Sequence, residues 1–156
     1  DSENNRIQHF APPPPTARPD AQLRVGTGAL VGNGVYNANA ADQTVATTVG
    51  AGGTATFTVR LENDGNLIDA LRVTGTASTL TYRITYLVGT TDVTSEVVAG
   101  RYGTSALAPD ARATLRVVIK ARAGVPVRSV GKAKITIASS TTPTTLDVVK
   151  AKVTRV

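Results

Sequence analysis

Cysteine, methionine and tryptophan are all absent from this 156-residue chain, and histidine occurs once, as His9. Without cysteine there is no disulfide, no thiolate metal site and no thiol nucleophile. A single His, lying in an atypical amino-terminal segment, leaves the many Ser and Thr hydroxyls without a base to activate them. Aromatic residues are only 4% of the chain, so a core must be built from Val, Leu, Ile, Ala and Thr, side chains that pack well on strands. No apolar run approaches the roughly 20 residues of a membrane-spanning helix. A hydrophobic amino-terminal helix of the helical-core pilin type is missing as well. A chain free of oxidisable sulfur suits an exposed, oxidising surface. With no Met anywhere, Asp1 is expected to follow a removed leader, or the chain is a piece of a longer one.

What is present begins with charge. The net charge is +6, unevenly spread: residues 1–110 hold 7 basic and 10 acidic side chains, net −3, and residues 111–156 hold 10 basic and 1 acidic, net +9. Two readings follow. Lys and Arg can simply fill the solvated faces and edges of the last strands, where they discourage edge-to-edge pairing. Alternatively, the basic part meets an anionic partner or the acidic part of another copy.

Residues 51–71, AGGTATFTVRLENDGNLIDAL, organise the chain. Ala55, Phe57, Val59 and Leu61 alternate with Thr56, Thr58, Arg60 and Glu62, the period-two pattern of a strand with one face in a core. Gly52 and Gly53 open it. Asn63, Asp64, Gly65 and Asn66 close it with residue types that tolerate positive φ, and a tight reversal is expected into the apolar run Leu67, Ile68, Leu71 and Val73.

The remaining strands follow by the same period. Leu23 and Val25 share a face in a short strand over 21–25, and residues 43–49 form another. Between them, Gly26, Gly28 and Gly32 superficially resemble a dinucleotide-binding loop, but Asn33, Gly34, Asn37 and Asn39 break the helix such a loop needs. Tyr82, Ile84, Tyr86 and Val88 share a face. Residues 91–102 lack a period, with room for a helical turn at 92–97. After Leu107, Ala108, Pro109 and Asp110, the strand over 113–121 turns Ala113, Leu115, Val117 and Ile119 inward. Strands over 132–139 and 147–156 place Ala133, Ile135, Ile137, Val149, Ala151 and Val153 inward. Lys132, Lys134, Lys150 and Lys152 then share the outward parity and make a basic stripe if those two strands pair.

Residues 1–19 differ from all of this. They are polar apart from Ile7 and Phe10, and Pro12, Pro13, Pro14 and Pro15 must run extended, about 12 Å at roughly 3.1 Å each. The expected organisation is an extended Pro-rich tail, 1–19, and one domain, 20–156: an all-β, immunoglobulin-like antiparallel sandwich of seven to eight strands. By composition the tail is a leader outside the core. In the alternative it lies on a neighbouring subunit, with Ile7, His9, Phe10, Pro12 and Pro13 as the contacting residues.

The stretches GGTATFTVRLENDGN, ALAPDARATLRVVIK and VGKAKITIASS together resemble the bacterial surface sandwiches of the cell-adhesion-related group. In that group a Gly-Gly-Thr strand ending in Asn-x-Gly, and a Leu-Ala-Pro turn before a later strand, recur at similar spacing. The resemblance covers residues 21–156. It implies a secreted or surface-displayed bacterial or archaeal module of adhesins, stalks and large exoenzymes, and it brings no catalytic residues.

Chemistry is correspondingly thin. Asp64, Asp69, Asp92, Glu96, Asp110 and Asp147 stand mostly at turns, where carboxylates belong without any reaction. Calcium on Asn63, Asp64, Asn66 and Asp69 is conceivable, yet the spacing fits no defined loop, and neither metal nor cofactor is expected. A glycan platform would need an exposed aromatic, for which Tyr36 and Tyr102 are the candidates. The stripe lacks the interleaved aromatics of a nucleic-acid surface. An isopeptide crosslink would need a Lys buried beside an Asn and an acid, but no Lys precedes Lys120 and most later ones have the outward parity. The expectation is a non-enzymatic extracellular or cell-surface structural protein that polymerises head to tail into a pilus-like filament through a donor-strand contact of its tail. The alternative is an adhesion or spacer module of a multidomain secreted protein, and behind it a carbohydrate-binding one. The Lys stripe could also hold an anionic surface polymer.

Overall fold

The computed structural model describes residues 11–156 as ten strands and one short helix. In chain order these are β1 (Pro19–Val25), β2 (Thr44–Val49), β3 (Thr54–Asn63), β4 (Leu71–Gly75), β5 (Tyr82–Val88), β6 (Thr91–Asp92), α1 (Thr94–Val98), β7 (Tyr102–Gly103), β8 (Arg112–Ala121), β9 (Val130–Ser139) and β10 (Leu146–Arg155). Eight of the strands have five residues or more, and β6 and β7 are two-residue edge additions. They form two five-stranded sheets, ordered β1-β3-β8-β5-β6 and β2-β10-β9-β4-β7. This is an immunoglobulin-like sandwich. Every pairing is antiparallel except β2 with β10, which is parallel, so the sheets are not purely antiparallel as expected. The chain between β1 and β2 crosses from one sheet to the other. That crossing leaves β2 running in the same direction as β10.

The alternating patterns decide which faces meet. Ala55, Phe57, Val59 and Leu61 of β3, Leu115, Val117 and Ile119 of β8, and Ala133, Ile135, Ile137, Val149, Ala151 and Val153 of β9 and β10 are all buried in one core. Burying each large aliphatic stabilises the fold by about 1.5–3 kcal/mol. Two aromatic rings set the spacing between the sheets. A Cβ on Gly131 of β9 would lie 2.5 Å from the Tyr82 ring, and one on Gly75 of β4 would lie 2.5 Å from the Tyr86 ring. Each tyrosine from the first sheet therefore packs directly against a glycine of the second, and its hydroxyl bonds a carbonyl, Ser129 O for Tyr82 and Thr76 O for Tyr86, both at 2.8 Å.

The expected reversal after β3 does not make a hairpin. β3 pairs with β1 and β8, whereas β4 joins the other sheet. Nor do Asn63, Asp64, Gly65 and Asn66 adopt positive φ. Gly65 is required for a different reason: a Cβ there would collide with the carbonyl of Thr16 and come within 3.0 Å of the Arg18 nitrogen. Ile68, placed in the apolar run by the sequence, is exposed. Leu67 and Ile68 serve as the crossing between sheets, and the strand begins at Leu71, with Leu71 and Val73 in the core as expected.

The ladders give the sandwich two ends. The proximal end holds Pro19, Asn63, Arg112, Ser139 and Leu146; the distal end holds Val25, Thr54, Ala121, Val130 and Arg155. Ten-residue strands place these ends about 30 Å apart.

Candidate functional site

At the proximal end the incoming segment is tied down residue by residue. Asp64 N–H donates to Arg18 O at 2.8 Å and Asn66 N–H to Thr16 O at 3.1 Å. The Asn66 side chain returns both functions, accepting from Thr16 N at 2.6 Å and donating to Pro14 O at 3.0 Å. Beyond this clamp Pro12 and Pro13 are exposed. Ile7, His9 and Phe10, the other expected tail contacts, lie outside the described residues.

The two motifs that carry the surface-domain resemblance meet at this same end. Asn63 N–H bonds Ala111 O at 3.0 Å, Asp110 N–H bonds Asn63 O at 2.7 Å, and Asn63 Nδ2 reaches Leu107 O and Leu67 O, each at 2.8 Å. The Asn of the first motif thus satisfies the backbone of the Leu-Ala-Pro turn. Its role is architectural.

The calcium quartet weighed from the sequence does not converge. Asn63 is spent on carbonyls, Asn66 on the incoming chain, and Asp69 turns to Ser139 and to Thr141, whose Oγ1 donates at 3.0 Å. A different acidic group forms instead: Asp20, Glu62 and Asp64. Asp20 is fully buried, and burial, with the charges of Asp64 and Asp147 adding to it, pushes its carboxyl up to about 7 against the hydrogen bonds from Gly34 and Gln22. Tyr36 donates to Asp64 Oδ2 at 2.6 Å while Arg18 lies 5.3 Å above its ring. Burial, that hydrogen bond and the Asp64 charge raise the Tyr36 hydroxyl well above the usual phenol range. Arg18 lies over one face of Tyr36, which is otherwise exposed, and Tyr102 is half-buried against the core.

The four lysines come together as the pairing of β9 with β10 requires. Lys150 stands opposite Lys134 and Lys152 opposite Lys132. Their lateral neighbours on β2 are Thr44 and Ala46, and the Lys134 N–H donates to Thr76 Oγ1 at 2.9 Å. No acid stands among them. Directly opposed like charges weaken a ladder, so this block is a cost to the sheet that an anion would relieve.

Strand direction turns the charge split of the sequence into a split along the axis. Glu62, Asp64 and Asp110 crowd the proximal end, with Asp20, Asp69 and Asp147 buried behind them. Lys120, Arg122, Arg128, Lys132, Lys152 and Arg155 surround the distal end, where the segments 25–29, 49–54 and 120–132 carry no acid. Arg18, Arg72 and Arg112 are counter-charges at the proximal side.

The buried polar staple around Asp147 is not legible in the sequence as a site. Asp147 accepts from Ala21 N at 2.8 Å, Gln43 Nε2 at 2.6 Å, Val148 N at 3.0 Å and Asn37 N at 3.1 Å. One signal could have exposed it: an acid on the inward parity of Val149, Ala151 and Val153.

Among the described residues no helix is long and apolar enough to cross a membrane. No family model and no curated protein matches the chain, so no matching model stands behind the resemblance to the cell-adhesion-related group. Among solved structures it is similar to a family 123 glycoside hydrolase from Clostridium perfringens, at 6% identity over 73% of this chain and 23% of that one, with a TM-score of 0.49. It is similar also to PapD-like domain 7 of human CEP192, at 11% identity over 96% and 94% of the two chains and a TM-score of 0.41. The N-terminal domain of PorA resembles it at 12% identity over 86% and 96%, with a TM-score of 0.37. This chain spans under a quarter of the hydrolase's length, 23%, and a shared path of the backbone transfers no chemistry.

Proposed function

We propose that this chain is a non-enzymatic, extracellular structural module, a surface-displayed immunoglobulin-like sandwich that stacks head to tail. The observation that carries this reading is the axial charge separation, an acidic proximal end against a basic distal one. Such a contact joins two different surfaces, and heterologous contacts of this kind continue into a filament unless their rotation closes a ring. The Pro-rich segment leaves the acidic end as an extended rod. In this reading it reaches the next copy, where Arg6 to Phe10 would add as a strand to an open sheet edge such as β2, with Ile7 and Phe10 in apolar slots.

Negative-stain microscopy with light scattering on the full chain, on a version lacking residues 1–15, and on Arg128→Glu/Arg155→Glu tests it. Filaments from the full chain, lost in both variants, are the expected result. A full chain that stays monomeric at every concentration and salt overturns the polymer.

A second reading has its own support. The clamp between Thr16 and Asn66 stiffens the point where the chain comes in, and β10 runs out at the opposite end, which is the arrangement of a spacer within a longer secreted protein of the cell-adhesion-related kind. In that case the Lys132, Lys134, Lys150 and Lys152 block faces an anionic surface polymer. Raising salt would weaken either contact, so the truncation rather than salt separates the two.

A further inference from the structure

Asp20 and Glu62 face each other across the β1–β3 ladder. With Asp64 in the following turn, one oxygen from each carboxylate lies within 4.8 Å of the other two. Acids opposed in this way repel, and the chain supplies them with few donors. Gln22 Nε2 lies 2.8 Å from Glu62 Oε2, 3.1 Å from Asp20 Oδ2 and 3.3 Å from Asn33 Oδ1. An amide nitrogen has two hydrogens for these three acceptors. Gly34 N–H serves Asp20 Oδ2 as well, at 3.2 Å. Of the guanidiniums nearby, Arg18 covers the Tyr36 ring, Arg112 is the ladder partner of Glu62 on β8 and Arg60 that of Gln22 on β1. Among the described residues none of them donates a hydrogen bond to the three carboxylates, which accept from Gln22, Gly34 and Tyr36.

The remaining oxygen, Asp20 Oδ1, is buried with no hydrogen-bond partner, in a residue with 0% exposure. Removing a carboxylate oxygen from water without a partner is strongly unfavourable. A proton shared between Asp20 and a neighbouring carboxylate would ease the repulsion but leave Oδ1 without a partner. Cross-strand acids, a surplus of acceptors and a buried orphan oxygen have one common remedy, a cation among them.

We propose that Asp20, Glu62 and Asp64 bind a calcium ion, with Asp20 Oδ1 as the buried ligand and Asn33 Oδ1 as a further oxygen. An all-oxygen set without His or Cys selects a hard cation. Calcium accepts irregular shells of six to eight oxygens, and bonds of about 2.4 Å put oxygens on opposite sides of the ion about 4.8 Å apart. Magnesium demands a near-ideal octahedron with shorter bonds. The ion ties β1, the end of β3, its turn and the 32–36 loop into one unit, beside the clamp that holds the incoming segment. The site stands on its own geometry; only its stiffening of that joint rests on the end-to-end reading.

Titration calorimetry of the full chain at neutral pH after chelation, with calcium and separately with magnesium, tests the site, alongside thermal melts. Expected are a single calcium site with a dissociation constant of roughly 10⁻⁴–10⁻³ M, as in extracellular modules, and a melting temperature that rises with calcium. Glu62→Gln and Asp64→Asn, both at partly exposed positions, should each weaken binding about tenfold or more, the loss of one charged ligand, while the exposed Asp110→Asn does not. No heat and no shift in melting up to about 10 mM calcium overturns the proposal. Unchanged binding in the Glu62→Gln/Asp64→Asn double variant does so too, and an equal response to magnesium overturns the choice of ion. Light scattering reads assembly separately, so failure of the filament leaves this result standing.

Discussion

Asp147, the first inward residue of β10, accepts a hydrogen bond from the backbone N–H of Ala21 in the facing sheet at 2.8 Å. The two residues are held across the sandwich at its proximal edge, where β1 and β10 cannot pair by a ladder because they belong to different sheets. With Gln43, Asn37 and Val148 as further donors, one carboxylate closes the edge that the switch from β1 to β2 leaves open. Asp147→Asn turns one acceptor into a donor that must face a donor. It should cost about 1–3 kcal/mol, read as a lower urea midpoint with an unchanged m-value; an unaltered midpoint would mean that the edge closes without this staple.

Gly131 and Tyr82 make a sharper test of the core. Gly131→Ala drives a methyl into the ring, and overpacking of this kind costs about 1–3 kcal/mol. Gly50→Ala, with open space around its Cβ, is the control and should melt with the wild type. Calorimetry on the pair checks it.

Gly65→Ala addresses the clamp. Its methyl collides with the Thr16 carbonyl, so the bonds from Asp64 and Asn66 to the incoming segment should open while β3 persists. Hydrogen exchange should show protection at the Asp64 and Asn66 amides falling by about tenfold or more, with the β3–β8 amides unaffected, as for a local opening. Loss of protection throughout β3 would instead make the segment part of the core.

Lys150→Glu converts an opposed Lys–Lys pair into a Glu–Lys pair. Stability should rise by about 0.2–1 kcal/mol at low ionic strength. Most of the gain should vanish near 1 M salt, where the screening length is about 3 Å. A variant less stable than the wild type at low salt would show that the block is already compensated.

Period-two alternation made much of the sandwich readable from residues alone. Phe57, Ile84, Leu115, Ile135 and Val153 stand inward because a strand side chain has only two faces to choose from. The Lys block is legible for the same reason, given that β9 and β10 pair. The reversal after Asn63 was not, because residues that tolerate a tight turn equally serve a crossing between sheets, and local composition does not say which sheet the next strand joins.

The sequence by itself determined the strands, the faces they bury and the uneven charge of the two parts of the chain, all of which depend on neighbours within a few residues. Only the tertiary structure decided that Asp20 meets Glu62 and Asp64, that Asp147 meets Ala21, and that the charge falls along the axis. Those relationships join residues tens of positions apart, and their distances are set by which strands pair, in which register and in which of the two sheets, none of which a period-two pattern encodes.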